Sequence, residues 1–334
     1  MQHRRLGSSD VFVSPVIFGA WAIGGWMWGG TDEDDSIAAI RASLDNGVNT
    51  IDTAAIYGQG YGEELVGRAI RGYPRDKVVI ATKGGRYWDT AEGSDPWSTT
   101  DRLGKPITIR SNSRRQNLLA ECEQSLKRLG VDVIDLYQIH WPDKTTPVEE
   151  AMGAMDALRK QGKVRAIGVS NYDREWLSKA KAAAPSLASL QPPYSLIQRK
   201  IEQDGTLAFC REHQIAAIVY SPLERGLLTG KVTADRPFPP GDHRATHKFF
   251  TVENRKHVLA ALEKIKPIAD RHNASYAQVV INWTIHQPGI TAALVGARNA
   301  EQATHNAAAM KLTLSDAERV EVRRAFDDVS AKIA

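Results

Sequence analysis

The chain has 334 residues, 42% hydrophobic and 25% charged, with 43 basic against 39 acidic side chains. A formal charge of +4 with no block of five or more like charges argues against a nucleic-acid footprint or a charged interaction tail. No run of 18 apolar residues suggests a membrane span, and Cys122 and Cys210 make neither a metal cluster nor a secreted disulfide framework, so a reducing, cytoplasmic setting is expected.

From the N-terminus, Arg4 to Val13 reads as a small hairpin with turn residues at its centre. Arg4-Arg5 ahead of Val11 to Trp28 mimics a twin-arginine signal, but Asp10, Pro15 and six glycines from Gly7 to Gly30 interrupt the apolar stretch. A first strand follows over Val16 to Ala20, then a helix from about Glu33 to Asn46. Asn49 to Thr53 is the second strand, with a helix around Glu63 to Ile70, and Val78 to Lys83 is the third. After a long loop from Gly84 to Ile109, Leu118, Leu119, Cys122, Leu126 and Leu129 fall at helical spacing within Ser113 to Leu129. Asp132 to His140 is the fourth strand, followed by a helix near Pro147 to Gln161. Val164 to Val169, Ser189 to Gln191, Ala216 to Tyr220 and Thr291 to Val295 supply the rest, and Ser315 to Asp328 is a capped C-terminal helix.

Strands of this kind, each followed by a helix, imply parallel pairing with both sheet faces covered. A doubly wound open sheet and a (β/α)8 barrel are the two possible closures. A series of eight units without a linker fits the barrel, which typically needs about 250 residues and tolerates insertions. The expected fold is thus α/β: one TIM-barrel domain over 1–334, with an N-terminal β-hairpin and an extra C-terminal helix.

Several familiar signatures fail. Gly58 and Gly60 begin a dinucleotide fingerprint that breaks at Glu63, and Gly226 to Lys231 is too short for a P-loop and is followed by Val232. Gly168 to Tyr172 lacks the second glycine of a nucleophile elbow. No H-E-x-x-H and no Cys/His cluster occurs, so no metal site is expected.

In a barrel, chemistry sits at the C-terminal strand ends. There, Asp52 ends the second strand, Tyr57 follows in its loop, Lys83 ends the third and His140 the fourth. A phenol of ordinary pKa near ~10 is poorly matched to neutral pH, and an adjacent ammonium lowers that value. Asp52 would keep Lys83 charged, Lys83 would acidify Tyr57, and His140 would orient the same oxygen. Tyr57 would then give a proton to a developing alkoxide with no metal required. Singly, each residue has an ordinary reading: a structural ion pair, a loop tyrosine, a strand-ending histidine. Their joint occurrence at successive strand ends favours catalysis.

With these residues in place, the sequence resembles the aldo-keto reductases over nearly its whole length. Ile51 to Gly58 matches the family's Asp-to-Tyr motif, Thr82-Lys83 its lysine, and Asp135 to Pro142 its histidine motif. The stretch Gly19 to Thr31 is most similar to the bacterial branch that includes vegetative and general-stress members. The resemblance implies an extended NADP(H), contacted by Gly19, Ala20, Trp21 and Asp52. It places Ser170, Asn171 and Gln191 at the nicotinamide amide, and Tyr220 stacked on the ring. Ser221, Pro222, Leu223, Gly226 and Leu228 would run along the pyrophosphate, with Lys231 and Arg244 as clamping bases. Gly296 leads into Arg298, beside a helix start capped by Asn299 and Gln302, a suitable 2′-phosphate site. Gln302 and Asn306 fall where the family contacts adenine, and His305 stands where many members carry an acidic residue.

Trp21, Trp26, Trp28, Trp88 and Trp141 are expected to wall a pocket for a carbonyl or sugar. For Trp97, core packing and a pocket role weigh equally. Gly84 to Ile109 and Val232 to Phe250 are candidate lids. No nucleic-acid or membrane partner is expected, and no interface is readable. Two alternatives remain open at this point: an NADP-binding regulatory module of the channel β-subunit type with little turnover, and a barrel lyase or isomerase using Lys83 as a Schiff-base former.

Overall fold

A computed structural model describes residues 2–333. The first strands, β1 (Arg4–Arg5) and β2 (Phe12–Val13), pair antiparallel, as the turn residues between them require. The next are β3 (Val16–Gly19), β4 (Thr50–Asp52) and β5 (Val79–Gly84). A small sheet of β6 (Arg86–Tyr87), β7 (Ser94–Thr100) and β8 (Pro106–Ser111) intervenes. Then come β9 (Ile134–Ile139), β10 (Val164–Ser170), β11 (Leu187–Gln191), β12 (Ala216–Tyr220) and β13 (Ile290–Val295). Strands β3, β4, β5 and β9 to β13 close into a parallel barrel, sealed where β13 pairs with β3.

Side-chain alternation sorts the core into two layers. Ile17, Ala81, Leu136, Ala166, Ala188, Ile218 and Leu294 point inward as one cluster. Leu6, Val11 and Val13 of the N-terminal hairpin join that cluster, so the hairpin plugs the barrel at the end away from the C-terminal strand ends. Val16, Phe18, Ile51, Ile80 and Ile134 point outward onto the helices. Burying each such side chain contributes roughly 1.5–3 kcal/mol, and this burial holds the helical ring on the barrel.

The helices start where side-chain caps permit. Asp32 caps the helix Glu33–Asp45 by accepting from the Asp35 amide. Ser275 with Gln278, and Ser315 with Glu318, form reciprocal capping boxes for Tyr276–Ile285 and Asp316–Ala325. The expected C-terminal helix is in fact two, Asp316–Ala325 and Asp327–Ile333, separated at Phe326. No helix among the described residues is long and apolar enough to cross a membrane.

The largest departure from expectation is the segment after Lys83. It is no open loop: β6, β8 and β7 form an antiparallel sheet over one side of the barrel mouth. Strand β7 carries Pro96 and a left-handed Asp95 (φ 49°) and is bulged between Ser94 and Trp97. Those features erase the two-residue alternation by which a strand is read from sequence. The second expected lid, Val232 to Phe250, is irregular. Two short helical turns, His243–Thr246 and Lys248–Phe250, are capped by Asp242 and His247.

Candidate active site

Three adjacent strands converge on one buried cation. Lys83 near the end of β5 donates to Asp52 Oδ1 at 2.5 Å, to the Thr53 carbonyl at 2.9 Å and to the Tyr57 hydroxyl at 3.3 Å. Lys83 and Asp52 are each only 1% exposed. The second carboxylate oxygen of Asp52 accepts from Gln191 at 2.9 Å and from Gln138 at 3.4 Å, which completes its hydrogen bonding. His140 follows β9, its ring edge-on to Tyr57 with centroids 5.7 Å apart. The local backbone allows this convergence only with glycine at two points. A Cβ at Gly58 (φ 63°) would lie 2.3 Å from the Gly24 carbonyl, and one at Gly84 would lie 2.1 Å from the Tyr137 hydroxyl. The turn carrying Tyr57 and the end of β5 can therefore pack this closely only without a side chain.

Electrostatics in this cluster follow from burial. Burial pushes the Asp52 carboxyl up, while Lys83, Gln191 and Gln138 pull it back. For Lys83, burial opposes the charge, but Asp52 and Tyr57 together hold the ammonium above the ordinary lysine value. Burial also pushes Tyr57 up, and the Lys83 charge only partly offsets it. The expected acidified phenol is thus corrected: its net direction is upward, because loss of solvent outweighs the neighbouring cation. His140 lies well below its usual value, from burial first and then from Lys83 and Arg86, so its imidazole is neutral.

A second network lines the next strand ends. Ser170 donates to the Gln191 carbonyl at 2.8 Å. Asn171, held left-handed at φ 60°, donates to the His140 carbonyl at 2.9 Å and accepts from the Tyr220 hydroxyl at 2.9 Å. After β12, Ser221, Glu224 and Arg225 all have φ between 44° and 58°. Strained backbone of this kind is typical of ligand clamps.

Above both networks lies one elongated cavity of about 690 Å³. Gly19, Ala20, Asp52, Tyr57 and His140 line its centre, with Ser170, Asn171, Gln191 and Tyr220 alongside. Ser221, Pro222, Leu223, Gly226, Lys231 and Arg244 continue it, ending at Gly296, Arg298, Gln302 and Asn306. Trp21, Trp26, Trp28, Trp97 and Trp141 also wall it. Leu228 and Trp88 are not among the lining residues. Leu228 is wholly buried in the main core, turned inward by its short helical turn, and Trp88 packs behind the wall with Trp26 and Ile109. Arg298 donates to the Gly30 carbonyl at 2.7 Å. Asn299 caps its helix as expected, but the returning Gln302 oxygen accepts from the Arg298 amide rather than from Asn299.

Sequence reasoning missed Arg86, Arg225, Arg236 and Glu301, which also line the cavity. Arg225 and Glu301 adjoin Gly226 and Gln302 in sequence, and that adjacency is a usable signal. Arg86 had no signal, since its placement depends on the unforeseen sheet.

The residues suit a dinucleotide. Lys231, Arg236, Arg244 and Arg298 bring positive charge to the cavity for a diphosphate and a further phosphate, while its lining carboxylates are Asp52 and Glu301. Asp52 is already engaged by Lys83. The tryptophans suit the reacting carbonyl. Trp21 and Trp28 pack on each other and on His243 of the segment Val232 to Phe250, which therefore borders them.

Comparison with known proteins gives a consistent picture. The family model described as "Aldo/keto reductase family" matches residues 15–326. An aldo-keto reductase of Bacillus subtilis, YhdN, is 40% identical over 90% of this chain and 86% of its own length. An NADH-specific methylglyoxal reductase of Escherichia coli is 36% identical over 97% and 98%. Among solved structures, a glycerol dehydrogenase from Gluconobacter oxydans superposes with a TM-score of 0.85 at 37% identity, covering 99% of this chain and 96% of that one.

Proposed function

The chain belongs to the aldo/keto reductase family, and from that membership we propose that it reduces aldehydes or ketones with NADPH, Tyr57 acting as proton donor. Members of the family are oxidoreductases that use nicotinamide cofactors and interconvert carbonyls and alcohols. The observation that carries the proposal is the Lys83 ammonium 3.3 Å from the Tyr57 hydroxyl at the floor of a dinucleotide-sized cavity.

Ser170, Asn171, Gln191 and Tyr220 would hold the nicotinamide, and Lys231, Arg244 and Arg298 the phosphates. Bound there, the reduced cofactor supplies a hydride to the carbonyl carbon. Tyr57 delivers the proton to the carbonyl oxygen. Its raised pKa keeps the phenol protonated at neutral pH, and Lys83 stabilises the phenolate left behind. Neutral His140 can hydrogen-bond the same oxygen without adding charge. Lys83, held cationic by Asp52, is poorly suited to attack a carbonyl as a free amine, which weighs against the Schiff-base alternative.

Methylglyoxal and glyceraldehyde are suitable first substrates, given the named activities of the relatives. In steady-state NADPH oxidation, Tyr57→Phe should lower kcat by ~10²–10⁴, while NADPH still binds as judged by its fluorescence. Unchanged kcat in that variant would remove Tyr57 from the mechanism. Cofactor binding without turnover by the unaltered protein would favour a regulatory module.

A further inference from the structure

The tryptophans of the cavity suit a neutral carbonyl compound, but a cation lies beside one of them without a counterion. Arg86, the first residue of β6, lines the cavity beside Tyr57, His140 and Trp141. Its guanidinium carbon lies 5.8 Å from the centroid of the Trp141 ring, and Nη1 donates to Ser111 Oγ at 3.1 Å. Among the described residues it forms no ion pair. Asp95, the carboxylate whose field reaches it, is bonded to Lys144 at 2.8 Å. Arg244 and Arg225 differ, the first paired with Asp242 and the second reaching Glu224 and His247. Like Arg86, Lys231, Arg236 and Arg298 are without an ion pair among the described residues, but the proposed dinucleotide would engage Lys231 and Arg298, whereas Arg86 lies beside Tyr57 and His140.

A guanidinium has five donors, and here a neutral serine takes one of them. Leaving a half-buried cation without a counterion costs free energy that an arriving anion recovers. The bond to Ser111 anchors one Nη and the Trp141 ring lies within cation–π range, which leaves the remaining donors of the fork for a carboxylate or phosphate. Arg86 is also near enough to the reacting centre for its charge to help hold His140 neutral. A substrate gripped at Arg86 would present a carbonyl a few bonds away to Tyr57.

We propose that Arg86 is a specificity-determining residue and that the preferred substrates are aldehydes or ketones bearing a carboxylate or phosphate. This rests on the reductase reading above. The test compares kcat/KM within matched pairs: 4-oxobutanoate against its methyl ester, and glyceraldehyde 3-phosphate against glyceraldehyde. One anion should be favoured over its neutral partner by at least ~10-fold, and the arm that shows it identifies carboxylate or phosphate as the group recognised. Arg86→Met should collapse that ratio to about one or below, and Arg86→Lys should keep part of it. Ser111→Ala, which leaves the charge but removes the bond that aims it, should lower the ratio several-fold, and so should added salt. Equal kcat/KM for charged and neutral partners, or a ratio that survives Arg86→Met, overturns the inference while the reductase reading stands. If no aldehyde of either kind is reduced, both fall together.

Discussion

Replacing Lys83 with methionine separates the stability of the site from its chemistry. The ammonium lies 3.3 Å from the Tyr57 oxygen, and at an effective dielectric constant of ~20 a unit cation at that distance stabilises a phenolate by roughly 5 kcal/mol. At ~1.4 kcal/mol per decade, its loss lowers turnover by up to ~10³–10⁴. Lys83→Met also strands the buried Asp52 carboxylate, and breaking a buried pair from one side typically costs ~3–5 kcal/mol. Adding Asp52→Asn removes the stranded charge and keeps an acceptor for Gln191 and Gln138, so the double variant should regain most of that stability. Its turnover should stay low, because the phenolate still lacks its cation. Urea denaturation reads the first quantity and steady-state NADPH oxidation the second. Turnover of the single variant within tenfold of wild type, or recovery of turnover together with stability in the double variant, refutes the assigned role of Lys83.

Two other outcomes follow from the same structure. If Arg298 holds a 2′-phosphate, wild type should favour NADPH over NADH in kcat/KM, and Arg298→Ala should reduce that preference by ~10-fold or more; an unaltered ratio assigns cofactor choice elsewhere, as the NADH-specific relative warns. Glu121 is buried behind β5, accepting from the Gly85 amide at 2.6 Å, and burial pushes its carboxyl up to about 8 from 4.5. Because the folded protein holds that proton more tightly than the unfolded chain, its contribution is complete below pH 4.5 and is lost as pH rises to about 8. The loss is at most ~5 kcal/mol, so the urea midpoint of Glu121→Gln should gain on wild type as pH rises from 5 to 9; parallel midpoints would contradict this.

The barrel was legible because its strands are short apolar runs bounded by polar ends. Val79 to Gly84 is buried throughout, as parallel strands under helices must be. The cluster around Lys83 was legible for a related reason: once the strands are known, the polar residues at or beside their ends are known, and Asp52, Lys83 and His140 are those of three neighbouring strands. What stayed hidden depends on contacts distant in sequence. Strand β7 exists because Trp97, Ser98 and Thr99 pair with Ile109, Thr108 and Ile107, not because its own composition favours extension. That pairing carries Trp97 into the cavity wall and orders the sheet from which Arg86 points at Trp141.

The direction of the Tyr57 shift teaches the same lesson in energetic form. Charges can be paired from a sequence, so the attraction of Lys83 for a phenolate was foreseeable. The opposing desolvation depends on how completely Trp21, His140 and the β4 loop exclude water, and only the packed structure supplies that. The result suits the proposed reaction better than an acidified phenol would. A proton donor must hold its proton until negative charge appears on the substrate, and a cation fixed in advance then stabilises the phenolate when it forms. In the proposed reaction burial and Lys83 would therefore act at different moments: the first keeps Tyr57 protonated in the ground state, and the second lowers the cost of its ionisation as the alkoxide is quenched.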